Sequence, residues 1–213
     1  FFSPIIHTMT TIYLVRHGQD EDNAHGILNG RRDTALTVIG LDQAHQTADK
    51  IASLSLHFDK VYTSPLQRAY KTAEAITKRL GISQATIMPE LIEREFGVMS
   101  GKPHTMIEEL CAPAILKTNT ATYFLHPKGA ETFPQLFIRA NKLLKHLKVK
   151  HEKDTILLVT HGDFGKMLYA AYYELDWSDV LKQFHFGNAD IVELSEKLQG
   201  EQSFIYKVKQ YNL

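Results

Sequence analysis

Short runs of apolar residues alternate along the chain with longer stretches in which apolar and polar positions are mixed. The short runs are rich in β-branched and aromatic residues and end at polar or glycine-containing segments, which is typical of buried strands. The last two flank Gly200 and predict a hairpin. The predicted strands cover residues 12–15, a run ending at 62, 86–88, 155–159, 190–194 and 203–208.

Three longer stretches carry apolar residues at spacings of three and four, the period of a helix with one buried face. The first follows Thr37, and the third begins near Thr132. The middle helix is expected to begin at Ser64, whose side chain can cap it. Pro65 suits the first helical position, and Gln67 can complete a capping box.

This alternation of strands and helices predicts an α/β fold with a mostly parallel central sheet and helices on both faces. Glycine and proline punctuate residues 97–131, which we expect to form a small irregular cap rather than a second domain. Residues 1–8 read as a leader or tag-like extension. Residues 9–213 then form a single domain.

Composition and charge narrow the classes of function. The 213 residues include 24 Lys+Arg and 24 Asp+Glu, and this balance argues against nucleic acid as the main partner. No apolar run approaches the ~18 residues needed to span a bilayer, so we expect no membrane partner. A single cysteine, Cys111, cannot close an intrachain disulfide, which favours a reducing, cytoplasmic location and excludes cysteine-rich zinc sites. The oligomeric state stays open.

Two predicted strands end in the same way. His17 and Gly18 follow the first strand, and His161 and Gly162 follow the strand at 155–159. Ligands of open α/β sheets bind at the carboxyl ends of strands, so both imidazoles are expected to face one pocket. The glycines are expected to allow close approach of a ligand and to leave amide groups free to donate. Either histidine alone would be interpreted as an ordinary half-buried side chain.

Two arginines add positive charge near these histidines. Arg16 adjoins His17, and Arg68 lies in the first turn of the middle predicted helix. Guanidinium groups bind phosphate oxygens in a bidentate manner, and a helix N-terminus favours an anion. Considered alone, Arg68 would be interpreted as a residue on a solvated helix face. Together, the two histidines and the two arginines predict a small anion pocket.

The segment Arg-His-Gly-Gln at 16–19, with Asn23 six residues after His17, resembles the signature of the histidine phosphatase superfamily, which has the phosphoglycerate mutase-like fold. The resemblance continues in order from residue 11 to about residue 194. An Arg-His-Gly sequence alone is weak evidence, but five further motifs in the family's order are strong. The other matching segments are residues 30–37, 62–69, 91–97, 129–132 and 159–162.

The resemblance implies a role for each matching residue. His17 is the expected nucleophile, which must be neutral to attack and then forms a phosphohistidine. Arg16 and Arg68 should lower the pKa of His17. The second ring nitrogen of His17 should donate to a backbone carbonyl. Glu93 is the expected general acid and base, chosen over its neighbours by the family spacing. The groups expected to hold the phosphoryl oxygens are Arg16, Asn23, Arg68, His161 and the Gly162 amide. With these cationic groups in place, no metal or other cofactor is expected.

The chain departs from the family at residues 20–22, an acidic run beginning with Asp20 where Ser or Thr is usual. This run is either a solvated charge cluster or a device that excludes highly anionic substrates. Between residues 98 and 130 the only basic side chains are Lys102, Lys117 and Lys128, fewer than a bisphosphate-binding mutase needs.

We therefore expect a metal-independent phosphatase acting on a small phosphorylated metabolite or a phosphoprotein. Mutase-type phosphoryl transfer is one alternative. A catalytically silent module that docks phosphorylated ligands is another.

Overall fold

The computed structural model describes residues 10–195 and 198–211 of the chain. The proposed extension at residues 1–8 lies outside the described residues. Within them, the strands are β1 (Thr11–Arg16), β2 (Lys60–Thr63), β3 (Thr86–Ile87), β4 (Ile115–Lys117), β5 (Thr122–Phe124), β6 (Thr155–Thr160), β7 (Ile191–Leu194) and β8 (Phe204–Tyr206). The helices are α1 (Glu21–Ala24), α2 (Val38–Ser53), α3 (Gln67–Leu80), α4 (Ile107–Cys111), α5 (Phe133–Lys150), α6 (Gly162–Tyr172) and α7 (Trp177–Gln183).

The central sheet has the strand order β3-β2-β6-β1-β7-β8. Strands β1, β2, β3 and β6 run parallel, whereas β7 and β8 pair antiparallel at one edge. The predicted α/β fold with a mostly parallel sheet is thereby confirmed. In the β1–β6 ladder Arg16 lies opposite Thr160, so the residues that follow these strands leave the sheet side by side.

Helices cover both faces of this sheet because the side chains of each buried strand alternate between them. Ile12 and Leu14 of β1 belong to the hydrophobic cluster that includes α5 and α6. Tyr13 and Val15 point the other way, into the cluster beneath α2 and α3. Within the described residues, none of the helices combines the length and the hydrophobicity that a membrane crossing requires.

Residues 97–131 are more regular than the glycine and proline pattern predicts. They contain α4 and an antiparallel pair of strands, β4 and β5. Five buried side chains, drawn from residues 96–124, form a separate hydrophobic cluster in this cap. The expected small cap thus includes a few short regular elements, because contacts between residues distant in sequence stabilise elements that local patterns do not reveal.

The predicted helix starts had different outcomes. The start predicted near Thr132 is confirmed: Thr132 is the cap residue of α5 and forms a capping box with Gln135. The start predicted at Ser64 was wrong: α3 begins at Gln67, and its cap residue, Leu66, makes no side-chain cap bond. The Gln67 side chain donates to the Asp33 carbonyl at 2.6 Å instead of completing a capping box.

Candidate active site

His17 and His161 lie side by side at the carboxyl edge of the sheet. Their ring centroids are 5.1 Å apart, and the residues are only 2% and 0% exposed. The β1–β6 register explains this proximity, because each histidine directly follows one of the two paired strands. The structure thus brings the two histidines together.

The surroundings of His17 fix its tautomer. Its Nδ1 lies 2.7 Å from the carbonyl oxygen of Gly18, which can only accept, so Nδ1 carries the proton. Its Nε2 therefore keeps a lone pair and accepts a bond of 3.2 Å from Arg68 Nε. Burial lowers the pKa of His17 well below its ordinary value, and the charges of Arg68 and Arg16 lower it further. The imidazole is neutral at physiological pH.

Gly18 is needed for packing rather than for ligand binding. A Cβ atom at this position would collide with the carbonyl oxygen of Gly40 at the start of α2. The Gly18 amide donates to Thr72 Oγ1 at 3.1 Å, which ties β1 to α3. The expectation that this amide is free to donate to a ligand was therefore wrong.

Arg68 is fully buried and held from several sides. Its Nη1 donates to the Arg32 carbonyl at 2.6 Å, and its Nη2 donates to the Gly30 carbonyl at 2.7 Å. Its Nε also lies 3.2 Å from Asp20 Oδ2. Because these partners leave little freedom, the guanidinium is fixed beside the lone pair of His17.

Asp20 is part of the site rather than part of a solvated charge cluster. It is 0% exposed, and its Oδ1 accepts the Asn23 amide at 2.8 Å, which caps α1. Its Oδ2 accepts a bond of 2.5 Å from Asn29 Nδ2 and pairs with Arg68. Burial raises the pKa of Asp20, whereas Arg68 acts in the opposite direction.

The rest of the acidic run is arranged differently. Asp22 is buried, but its carboxylate pairs with Arg32 Nε at 2.8 Å. Glu21 is exposed. The interpretation as a solvated cluster therefore holds only for Glu21.

His161 is bound to Ser64, a residue that sequence reasoning placed at a helix start. Its Nε2 lies 2.6 Å from Ser64 Oγ. Its Nδ1 is buried and has no hydrogen-bond partner among the described residues. Burial lowers the pKa of His161 well below its ordinary value, with further contributions from Arg68 and His17.

Arg16 and Asn23 lie where the buried site meets solvent. Arg16 Nη1 donates to the Phe186 carbonyl at 2.8 Å, whereas its buried Nε has no partner among the described residues. Gly162 packs against this guanidinium, where an added Cβ would lie 3.5 Å from its central carbon. Asn188, which no sequence pattern identified, donates to the Asn23 side chain at 3.0 Å.

Glu93 is 5% exposed and accepts three backbone N–H bonds. Its Oε1 accepts from Arg94 at 2.8 Å and Phe164 at 3.0 Å, and its Oε2 accepts from Asp163 at 3.1 Å. Burial raises the pKa of Glu93, and the Asp163 carboxylate raises it further, whereas the backbone donors and Arg68 oppose the rise. The carboxyl therefore keeps its proton to higher pH than an exposed glutamate.

Arg94 and Asp163 form a buried pair beside Glu93 that sequence reasoning missed. Arg94 Nε donates to Asp163 Oδ2 at 2.8 Å, and its guanidinium lies 4.2 Å from the ring centroids of both Phe124 and Phe133. The pair joins the first turn of α6 to the cap. The adjacent helix shows no apolar stripe in the sequence, so nothing indicated this contact.

A cavity of about 460 Å³ lies between the sheet edge and the cap. This volume is in the range of small-molecule sites. Arg16, Asn23 and Asp163 contribute to its wall from the sheet side. The cap side includes Phe96, His104, Thr105, Ile107, Glu108, Thr120, Thr122, Tyr123 and Phe124.

Metal ligands are not grouped in the described ranges. Among residues 10–195 and 198–211, no cluster of three or more His, Cys, Asp or Glu side chains is arranged to hold a metal ion. The charged groups at the site instead include two arginines paired with carboxylates, Arg68 with Asp20 and Arg94 with Asp163.

Comparison with known proteins agrees with this geometry. The family model described as the histidine phosphatase superfamily, branch 1, matches residues 12–206. A metal-independent phosphoserine phosphatase of Arabidopsis thaliana is 31% identical over 76% of this chain and 68% of its own. A 2,3-bisphosphoglycerate-dependent phosphoglycerate mutase of Bartonella henselae is 29% identical over 81% of this chain and 86% of its own. The solved structure of a mycobacterial glucosyl-3-phosphoglycerate phosphatase with VO3 superimposes with a TM-score of 0.73 at 27% identity, covering 87% and 92% of the two chains.

Proposed function

Because this chain belongs to the histidine phosphatase superfamily, we propose that it is a phosphatase that hydrolyses phosphomonoesters through a phosphohistidine on His17. The observation that carries this proposal is the state of His17. It is a neutral imidazole whose Nδ1 is held by Gly18, with its Nε2 lone pair beside Arg68. A fixed tautomer with a depressed pKa is what a nitrogen nucleophile needs.

In the first step, Nε2 of His17 attacks phosphorus, and the bond from phosphorus to the ester oxygen breaks. Glu93 gives its proton to the departing oxygen, which leaves as an alcohol. The raised pKa of Glu93 supports this role, because the acid form must be present when the ester bond breaks. Glu90 is exposed, and Glu95 accepts the Gly97 amide at 3.0 Å, so neither has an equivalent buried setting.

In the second step, the Glu93 carboxylate takes a proton from water as the water oxygen attacks phosphorus. The bond from phosphorus to His17 Nε2 breaks, and inorganic phosphate leaves. Protonated Glu93 and neutral His17 are then both restored, so the cycle closes without a metal or cofactor.

We assign the phosphoryl oxygens to Arg16, Asn23, Arg68, His161 and the Gly162 amide. The buried Arg16 Nε and His161 Nδ1 lack partners among the described residues, which supports this assignment. Buried donors usually have acceptors, and a phosphoryl group supplies them. Fixed cations and dipoles around the equatorial oxygens stabilise the charge that develops during transfer.

Hydrolysis is favoured over mutase chemistry because the cap offers little to bind a second anionic group. Among the described residues, no lysine lines the cavity, and Arg94, which does line it, is already paired with Asp163. In the cap, Lys117 is paired with Glu108 at 2.8 Å. Asp20 adds a further buried carboxyl beside Arg68. The substrate class is a small phosphorylated metabolite, and the cytoplasmic location stays a prediction based on Cys111.

The decisive experiment measures phosphate release from a panel of phosphomonoesters with a chelator present. Release that the chelator does not change, and that needs no bisphosphate primer, supports the proposal. Strong stimulation by 2,3-bisphosphoglycerate, with phosphate moved rather than released, would establish mutase activity instead. Tight ligand binding without turnover across the panel would identify a silent binding module.

A further inference from the structure

Asn188 is a buried side chain that contacts two residues of the proposed site. It lies in the loop between α7 and β7 and is 1% exposed. Its Nδ2 donates to the His17 carbonyl at 3.1 Å and to Asn23 Oδ1 at 3.0 Å. A backbone carbonyl can only accept, so the atom of Asn188 that faces both partners is the amide nitrogen. This contact fixes the orientation of the Asn188 amide.

The orientation of Asn23 follows from that of Asn188. A side-chain amide can turn either its oxygen or its NH2 group toward a ligand. Because Asn188 Nδ2 is a donor, the Asn23 atom beside it is the acceptor Oδ1, which leaves Asn23 Nδ2 on the other branch of the amide. Asn23 lines the cavity, and its Nδ2 donates to none of the residues that the structure describes. The NH2 group of Asn23 is therefore left to donate to a phosphoryl oxygen.

The backbone of Asn188 is itself held in place. Gln210 Oε1 accepts the Asn188 amide at 2.8 Å, and Gln210 Nε2 donates to the Asn188 carbonyl at 3.0 Å. The next residue, Ala189, has a φ of 60°, in the left-handed region that a residue with a Cβ rarely adopts. Its amide lies 3.0 Å from the Arg16 carbonyl and 3.2 Å from the His17 carbonyl. A backbone of this kind persists only where the surrounding contacts determine it, so the loop holds Asn188 in one position.

We propose that Asn188 is a positioning residue for phosphoryl binding, which fixes the Asn23 amide with its NH2 group toward the phosphoryl oxygens and is held in register by Gln210. This inference rests on the proposed function, which assigns Asn23 to the phosphoryl group. Asn23 lines the cavity and Asn188 does not, so Asn188 acts through Asn23 rather than by contact with the substrate. The reversed amide would present an oxygen to an anion, and fixing the donor in advance prevents that repulsive arrangement.

The test is a double-mutant cycle between Asn188 and Asn23, with inorganic phosphate as the probe. Dissociation constants are measured by titration calorimetry for the parent protein, Asn188→Ala, Asn23→Ala and the double variant. We expect Asn188→Ala to weaken phosphate binding about fivefold or more in the parent protein, but less than about twofold when Asn23 is already alanine. The His17 carbonyl keeps the Ala189 amide as a donor in all four proteins. Asn141→Ala, in α5, removes an amide elsewhere and should leave binding unchanged.

A second variant keeps the test decisive if Asn188→Ala does not fold, which its thermal melting curve would show. Gln210→Ala leaves both asparagines intact and removes only the support of the Asn188 backbone. We expect it to weaken phosphate binding about two- to threefold, and to have no measurable effect when Asn23 is already alanine.

The outcomes separate this inference from the proposed function. Equal losses of phosphate affinity with and without the Asn23 side chain would overturn the inference, and so would unchanged affinity in folded Asn188→Ala. Either result, obtained in a protein that hydrolyses phosphomonoesters, would leave the proposed function intact. A coupled cycle in a protein that releases phosphate from none of the esters would support the inference and refute the proposed function.

Discussion

The histidine site at the sheet edge and the cap, called here the floor and the roof, are built differently. The floor consists of His17, Ser64, Arg68, Glu93 and His161, which are 0–5% exposed and lie at or beside the carboxyl ends of the central strands. The roof, residues 97–131, contains one short helix and a two-stranded ladder over a cluster of five buried side chains. The residues proposed for phosphoryl transfer, the step that all substrates share, thus lie where the central sheet supports the backbone.

This difference predicts which substitutions affect the turnover of all substrates and which affect only some of them. A change in the floor should reduce turnover for every substrate, because all substrates share the phosphoryl group. A change in the roof should alter one substrate relative to another, because the roof contacts the part of the substrate that varies. Scaffolds commonly combine rigid catalytic residues with more variable binding segments.

Glu93→Gln is expected to have the largest effect among the variants that compare floor and roof. This variant keeps the acceptor oxygen but cannot transfer a proton, and we expect kcat to fall by about 10²- to 10⁴-fold. Esters with poor leaving groups should lose more than p-nitrophenyl phosphate, whose leaving group needs little protonation. Glu90→Gln and Glu95→Gln serve as matched controls and should stay within about threefold of the parent protein.

Glu93 also sets the expected pH dependence. Because burial and Asp163 raise its pKa, the active acid form persists above the ordinary range and is lost as pH rises through the raised value. For esters with poor leaving groups, kcat should therefore fall on the alkaline side. The Glu93→Gln variant should lack this alkaline limb. A limb of the same shape in that variant would assign the titration to another group.

The roof is tested by Ile107→Ala. Ile107 is 4% exposed and lies in the cap cluster at the cavity wall. Shortening it should destabilise the cap and raise KM for 3-phosphoglycerate by about tenfold, with a change in kcat of less than about threefold. Ile138→Ala, at a site that is 66% exposed, is the matched control. If Ile107→Ala lost as much kcat as Glu93→Gln, the proposed division between catalytic floor and substrate-selective roof would be contradicted.

Asp20→Thr is expected to have a smaller, selective effect. It removes the carboxyl group that lies 3.2 Å from Arg68, so more anionic substrates should be tolerated. We expect kcat/KM for fructose 1,6-bisphosphate relative to fructose 6-phosphate to rise by roughly fivefold. The exposed neighbour Glu21→Thr is the control for loss of charge alone. An unchanged ratio in Asp20→Thr would exclude Asp20 as a determinant of selectivity.

The smallest effects distinguish Thr132 and Ser64, two hydroxyl residues that lie near predicted helix starts. Thr132→Ala removes a true capping box and should cost about 1 kcal/mol of unfolding free energy with little change in activity. Ser64→Ala should instead reduce kcat several-fold, because Ser64 binds His161 and does not cap α3. Chemical denaturation and steady-state kinetics on both variants measure this contrast. The opposite pattern would restore Ser64 as a helix cap.

The sequence is most informative where local pattern and tertiary structure agree. The strands that precede His17 and His161 were predictable because they are short apolar runs that stop at polar residues. The helix at Phe133–Lys150 was predictable from its apolar stripe. Parallel pairing then requires the two histidines to meet at one edge of the sheet.

Other parts of the site could not be predicted from the sequence, for identifiable physical reasons. Helix α6 buries residues on all sides, so it has no amphipathic stripe, and Asp163 was overlooked with it. Asp20 has the local pattern of an exposed acidic residue, and its burial depends on contacts with Asn29 and with Arg68 from a distant helix. The cap cluster joins residues spread over 96–124, which no short window detects.

The central claim is that His17 carries the phosphoryl group, and trapping of the phosphoenzyme tests it most directly. The protein is mixed with substrate, quenched in alkali to preserve phosphohistidine, digested and mapped by mass spectrometry. We predict one added phosphoryl group on the peptide that contains His17, lost on acid treatment and absent from His17→Ala. Phosphorylation of another residue, or turnover by His17→Ala within about tenfold of the parent protein, would contradict the account.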